Sequence, residues 1–120
     1  MLSKLNPVLL VLLGSVAAWA QALPAPPKQA FSVETMFRLA RISEPVLSPD
    51  AMQVAFTVQT VDVAGNAKPT QIFVVPTAGG TPRQLTREGK SNGRPRWSPD
   101  SKKIYFVSDR SGKSQVWSMF

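Results

Sequence analysis

Ser48-Pro49-Asp50 recurs as Ser98-Pro99-Asp100, fifty residues further along the chain. The match extends to both sides. Pro45 pairs with Pro95 and Leu47 with Trp97, and after the tripeptide Met52, Val54, Phe56 and Val58 line up with Lys102, Ile104, Phe106 and Ser108. A repeat at this period constrains the fold more than any local propensity. Each copy is one small unit whose apolar face is buried only by stacking on a neighbour.

The tripeptide itself reads as a turn. Proline fixes φ near the value that the second position of a type I turn requires, and it drives the residue before it into extended backbone. The aspartate carboxylate can then accept from a backbone N–H two residues on. If the next residue goes left-handed, glycine would suit it, yet Ala51 and Ser101 stand there. A positive φ at either would cost on the order of 1 kcal/mol. Asp50 and Asp100 are therefore read as turn formers, not as catalytic acids or metal ligands.

Around the turns the apolar period is two. Met52, Val54, Phe56 and Val58 alternate with Gln53, Ala55, Thr57 and Gln59, which predicts a half-buried strand. Residues 62–70 form a longer connection, with Gly65-Asn66 and Pro69 as turn signals. Residues 71–75 are the next strand, stopped by Pro76; Gly79-Gly80 turns into a short polar edge over 82–86. The second copy opens over 94–97 and runs as a strand over 103–108. Gln115-Val116-Trp117-Ser118 then repeats Gln71-Ile72-Phe73-Val74. Trp97 and Trp117 sit at repeat-matched positions, equivalent to Leu47 and Phe73, and are assigned to packing between neighbouring sheets.

Ahead of the repeats the pattern differs. Residues 1–22 read as a signal peptide: Lys4 supplies a basic start and residues 8–18 an apolar stretch. That stretch is shorter than the roughly 20 apolar residues of a membrane span. Cleavage after Ala20 or Ala22 fits the small-x-small rule, which implies a periplasmic or secreted chain with no membrane span in its mature form. Residues 23–30 are a proline-rich linker. Over 31–41 the period becomes helical: Ser32 is placed to cap, Glu34 lies in the first turn, and Val33, Met36, Phe37 and Ala40 share one face. Arg38 and Arg41 point away from it.

Absences bound the chemistry. The chain has no histidine and no cysteine, so it cannot assemble a Ser-His-Asp triad, a soft-metal site or a disulfide. No Gly-x-Ser-x-Gly elbow occurs. Gly89-Lys90-Ser91 and Gly112-Lys113-Ser114 imitate the end of a phosphate-binding loop, but Gln84 and Val107 stand where its first glycine belongs. No catalytic, cofactor-binding or metal-binding residue is assigned, and no cofactor is implied. The 14 Lys and Arg outnumber the 7 Asp and Glu, and nine of the basic residues fall over 83–113. They alternate with strand residues, as a solvated outer face does, so no nucleic-acid partner is read from them. Asp109, beside Arg110, is expected to make a turn and a local ion pair.

Pro95-Arg96-Trp97-Ser98-Pro99-Asp100, followed by Ile104-Tyr105-Phe106-Val107-Ser108 and Gln115-Val116-Trp117, resembles the blade repeat of TolB-type (WD40-like) β-propellers. Residues 31–50 and Thr77-Ala78-Gly79-Gly80-Thr81-Pro82-Arg83-Gln84-Leu85-Thr86 resemble the beginning of secreted prolyl oligopeptidase-family serine peptidases. The similarity is to the acylaminoacyl-peptidase and dipeptidyl-peptidase-like members. This resemblance implies an all-β fold, an incomplete β-propeller of about one and a half four-stranded antiparallel blades. The blades would occupy 45–93 and 94–120, preceded by the signal peptide, the linker and one short amphipathic helix within 31–44.

The resemblance further implies that the propeller gates short peptides into a C-terminal α/β-hydrolase domain, joined to it through further blades. Some relatives grip a substrate amino terminus with paired glutamates; Glu34, Glu44 and Glu88 match no such motif. The alternative is a periplasmic TolB-like propeller that binds proteins as a scaffold and catalyses nothing. Stacked repeats generally need at least three units to bury a continuous core. The expectation is that these residues are a fragment that does not fold stably alone.

Overall fold

The computed structural model describes residue 28 and residues 30–120. The predicted signal peptide lies wholly outside the described residues, as does the linker apart from residues 28 and 30.

The predicted helix forms, but it is short: α1 spans Val33–Arg38. Ser32 caps it, its hydroxyl accepting from the Thr35 N–H at 3.2 Å. Glu34 sits in the first turn, and its carboxyl is held below the usual range by its own backbone N–H and then by the Ser32 hydroxyl. The helix stops at Leu39, which is already extended, because Arg41 and Ile42 pair with Gln59 and Val58 as the start of a strand. Ala40 thus leaves the predicted helical face, and Arg41 leaves the helix for β1. Val33, Met36 and Phe37 stay exposed, since no described element covers them.

Seven strands follow: β1 Arg41–Leu47, β2 Gln53–Gln59, β3 Thr70–Pro76, β4 Arg83–Gln84, β5 Asn92–Trp97, β6 Ile104–Ser108 and β7 Gln115–Met119. They form two antiparallel sheets ordered as in the sequence, β1-β2-β3-β4 and β5-β6-β7. β1 takes in residues that the sequence pattern placed with the helix. The second sheet holds three strands.

The fifty-residue period reappears in the backbone. Ala51 and Ser101 have φ of 59° and 61°, so both turns do enter the left-handed region. Glu44 and Arg94, also fifty apart, have φ of 52° and 55°. Each sits where the register of a first strand slips, between Ser43 and Val46 in β1 and between Gly93 and Arg96 in β5. Such a bulge re-aims the strand and increases its twist.

Strict alternation predicted one buried face for β2, whereas Ala55, Phe56 and Thr57 are all buried. The reason is its place between β1 and β3. Residues Ala55 and Thr57, opposite Val74 and Ile72, face the second sheet. Phe56 turns the other way and stacks on Phe73 at 6.0 Å between ring centroids. Against Ala55, Ile72 and Val74 the second sheet lays Ile104 and Phe106, and the core of the described residues lies in this seam.

Candidate functional site

The seam between the sheets is where the chemistry-bearing residues of this chain are spent. At one end stand the two Ser-Pro-Asp turns. Ala51 N–H donates to the Ser48 carbonyl at 2.8 Å and Ser101 N–H to the Ser98 carbonyl at 2.9 Å, closing both turns. Asp50 Oδ1 accepts from the Ser48 hydroxyl at 2.6 Å and from Met52 N–H at 3.0 Å. Asp100 repeats the pattern with the Ser98 hydroxyl and with Lys102 N–H at 3.1 Å. The serine hydroxyl, and after it the backbone N–H, holds each carboxyl below its ordinary range. Both acids are thereby ionised turn anchors. The turns also touch one another: Asp50 N–H donates to Ser101 Oγ at 3.0 Å.

Along the first strands two further bonds cross the seam. Arg94 N–H donates to Glu44 Oε2 at 2.8 Å, so the two left-handed bulge residues are bonded to each other. Trp97 Nε1 donates to the Val46 carbonyl at 3.0 Å. Trp97 therefore packs between sheets, as its place in the repeat predicts. A crevice of about 110 Å³ remains beside it, with Val74 and Leu85 on one wall, Ile104 on the other and Arg83 and Lys102 at the rim.

The opposite end is locked by a polar network that the sequence pattern did not reveal. Asn92, fully buried, directs its amide hydrogens at the Glu88 carbonyl, Gln71 Oε1 and the Thr70 carbonyl, at 3.0, 3.1 and 3.3 Å. The Thr86 hydroxyl donates to the same Gln71 oxygen at 2.6 Å and accepts from Ile72 N–H at 2.9 Å. The only sequence signal for this cluster is that Gln71 recurs as Gln115 in the second copy. Nothing in the pattern marks Thr86 or Asn92.

One expectation changes here. Asp109 does not pair with Arg110; its Oδ1 accepts from Lys90 N–H at 2.9 Å and Ser91 N–H at 3.0 Å. The Arg110 guanidinium instead lies over the rings of Phe106 and Trp117, 5.0 and 5.1 Å from their centroids, and its Nε donates to Ser108 Oγ. Two ring faces and a hydroxyl hold it, while the Asp109 carboxylate is taken up by two backbone N–H groups. Gly89-Lys90-Ser91, which resembles a phosphate loop, thus points its N–H pair at an internal carboxylate. Gly89 is required there: φ is +77°, and a Cβ would stand 2.5 Å from Asp109 Oδ1 and 3.1 Å from Arg110 N.

Glu34 lies in α1, Glu44 in β1 and Glu88 in the connection between β4 and β5, and the three form no cluster. Among the described residues no cluster of three or more His, Cys, Asp or Glu could hold a metal ion. What the arrangement accomplishes is mechanical: it fastens one sheet to the next.

The fastening is head to tail. The strand-two face that β6 turns toward the seam, with Ile104 and Phe106, corresponds to the face of β2 with Val54 and Phe56, which points away from it. Unlike faces therefore meet, and an unlike pairing repeated with a constant rotation generates a ring when that rotation closes. Consecutive up-and-down sheets packed in this way are blades of a β-propeller, open among the described residues.

The chain belongs to the TolB beta propeller domain family, whose model matches residues 32–120. Dipeptidyl-peptidase 5 of Porphyromonas gingivalis is 34% identical over 83 residues, which cover 69% of this chain and 12% of that protein. The dipeptidyl-peptidase 5 of Porphyromonas endodontalis is 31% identical over 86 residues, 72% of this chain and 12% of the relative. Among solved structures, the acylaminoacyl peptidase of Pyrococcus horikoshii superposes with a TM-score of 0.55 at 25% identity, over 70% of this chain and 12% of its own. An acylaminoacyl peptidase in complex with Z-Gly-Gly-Phe-chloromethyl ketone gives 0.58 at 24% identity, over 70% and 13%, a likeness of fold. This chain spans about an eighth of the length of these relatives.

Proposed function

We propose that these residues are the opening blades of an exported serine peptidase that hydrolyses short peptides. The propeller restricts entry to an α/β-hydrolase domain carried elsewhere in the same polypeptide. The observation that carries this reading is the 34% identity to a dipeptidyl-peptidase over 69% of the chain. The blade geometry is compatible with it: every carboxylate and tryptophan at the seam has a structural partner or packing role, which leaves the catalysis to another domain. Export rests on the pattern of residues 1–22.

The test begins with the coding sequence that follows Phe120. Further blades, then Gly-x-Ser-x-Gly and a late histidine, are expected. The full-length product should release chromophore from dipeptidyl or N-acylaminoacyl anilides, lose that activity to a fluorophosphonate, and appear in the periplasm or medium with residues 1–22 removed. A frame that closes after roughly six or seven blades without a nucleophile, and a product inert to these substrates, would overturn the reading in favour of a binding scaffold.

A further inference from the structure

Asn92 is followed by Gly93, and the structure buries Asn92 at the point where the two sheets are joined, with Gly93 half-buried beside it. An asparagine side chain cyclises when the next backbone nitrogen attacks its Cγ. Glycine offers that nitrogen with no Cβ in the way and with the widest choice of backbone angles. We propose that Asn92-Gly93 is a latent self-deamidation site, gated by the seam: protected while the blades are joined, and converted irreversibly once they part.

The reaction uses only the chain and water. Gly93 N, giving up its proton to solvent, bonds to Asn92 Cγ; solvent returns a proton to Nδ2, the Cγ–Nδ2 bond breaks and ammonia leaves, giving a five-membered imide. Water then adds to one of the two imide carbonyls and opens the ring. The product is aspartate, or an isoaspartyl residue whose side-chain carbon has entered the backbone. There is no redox change.

In the closed seam each requirement is blocked. Asn92 has no exposed surface, and its amide hydrogens are shared among three acceptors on the first sheet and its connection. It is paired with Ser108 in the β5–β6 ladder, which holds the backbone extended and keeps Cγ from swinging onto the next nitrogen. Parting the sheets removes the bonds to Thr70 and Gln71 and exposes the side chain; Asn92, the first residue of β5, is then free to fray from Ser108 within its own sheet.

Conversion also prevents return. The amide is the donor for the Thr70 and Glu88 carbonyls and Gln71 Oε1, all within 3.3 Å. A carboxylate in its place would bury a charge against three acceptor oxygens, and an isoaspartyl backbone would break the ladder at the first residue of β5. The pair thus records that the blades have separated and makes the separation permanent.

The full-length product is held at mildly alkaline pH, folded or in denaturing urea, and the tryptic peptide 91–96 is weighed over time. Conversion of the amide to the acid is expected in urea, and at least about a hundredfold more slowly in the folded protein, following the population of locally opened molecules. Asn66, exposed in a turn but followed by Ala67, should be slow in both. Chains deamidated in urea should not regain the propeller's unfolding transition on dilution, and Asn92→Asp should lower its midpoint when made directly. Equal rates in the two conditions, no conversion in urea, or an unchanged midpoint for Asn92→Asp would overturn the proposal.

Discussion

Trp97 reaches across fifty-one positions of sequence to donate its indole N–H to the carbonyl of Val46 at 3.0 Å. It stands one residue before the second Ser-Pro-Asp turn, and its counterpart in the first copy, Leu47, is exposed on the open face of the first sheet. The same repeat position therefore serves as seam in one copy and as uncovered surface in the other.

Trp97→Phe should keep most of the buried ring and lose the bond to Val46, costing about 1–2 kcal/mol. Trp97→Ala adds loss of packing and should cost about 3 kcal/mol. Urea unfolding of the propeller in the full-length product measures both, and equal effects would show that the hydrogen bond contributes nothing.

The left-handed turn residues offer a paired comparison. Ala51→Gly relieves a φ of 59° and should stabilise by about 0.5–1 kcal/mol. Ser101→Gly relieves the same strain but deletes the hydroxyl that accepts from Asp50 N–H, so its gain should be smaller. Thermal midpoints of the two variants give the order directly.

Acid should weaken the turns. Asp50 and Asp100 have carboxyls held below the usual range by Ser48 and Ser98. A carboxyl depressed in the folded state contributes stability that is fully present above its unfolded pKa of about 3.9 and is lost as pH falls through the folded value. Stability measured from neutral pH downward should be flat in this respect until about pH 4 and then fall. The double variant Asp50→Asn, Asp100→Asn, which keeps an acceptor oxygen, should flatten that acid limb.

Asp109 and Gly89 form one clip and should fail together. Asp109→Ala leaves Lys90 and Ser91 N–H without their acceptor and should cost about 1–3 kcal/mol. Gly89→Ala should cost at least as much, since its Cβ would meet that carboxylate at 2.5 Å. In the double variant Gly89→Ala, Asp109→Ala the costs should be less than additive, because one substitution removes the clash made by the other. Strict additivity in a double-mutant cycle would refute the coupling.

The apolar faces left open lead to a fifth expectation. Ile42, Leu47 and Val116 are 67%, 54% and 74% exposed. Residues 23–120 expressed alone should show no cooperative thermal transition and should self-associate, because the core they share is one seam. A monomer that melts cooperatively would contradict this.

Much of the architecture was legible from residues 48–50 and 98–100. Proline geometry and the carboxylate's reach are local properties, so the turns, their Asp-to-N–H bonds and the strands on either side follow from composition and spacing alone. The seam was legible only in part. Trp97 was recognisable as a packing residue from its register in the repeat, but its partner Val46 was not, because a backbone carbonyl leaves no trace in a pattern of side chains. Asp109 was misassigned to Arg110 on grounds of proximity in sequence. Its true partners, Lys90 and Ser91, become neighbours only when β5 pairs with β6 and sets Asn92 opposite Ser108. The helix was overextended for a related reason: helical spacing continues through Ala40, but pairing of Arg41 with Gln59 and of Ile42 with Val58 claims the backbone first.

The amino-acid sequence by itself determined the unit: a β meander punctuated by Ser-Pro-Asp, with apolar residues at alternate positions and too little surface within one copy to bury them. Those properties depend on φ, on side-chain reach and on a period of two, all of which act within a few residues. The tertiary structure alone decided how one unit meets the next. It chose which face of each sheet is covered, joined Glu44 to Arg94 and Asp50 to Ser101, and closed Asn92 within three acceptors. These contacts join residues about twenty to fifty positions apart, and their geometry exists only once two twisted sheets have settled against each other.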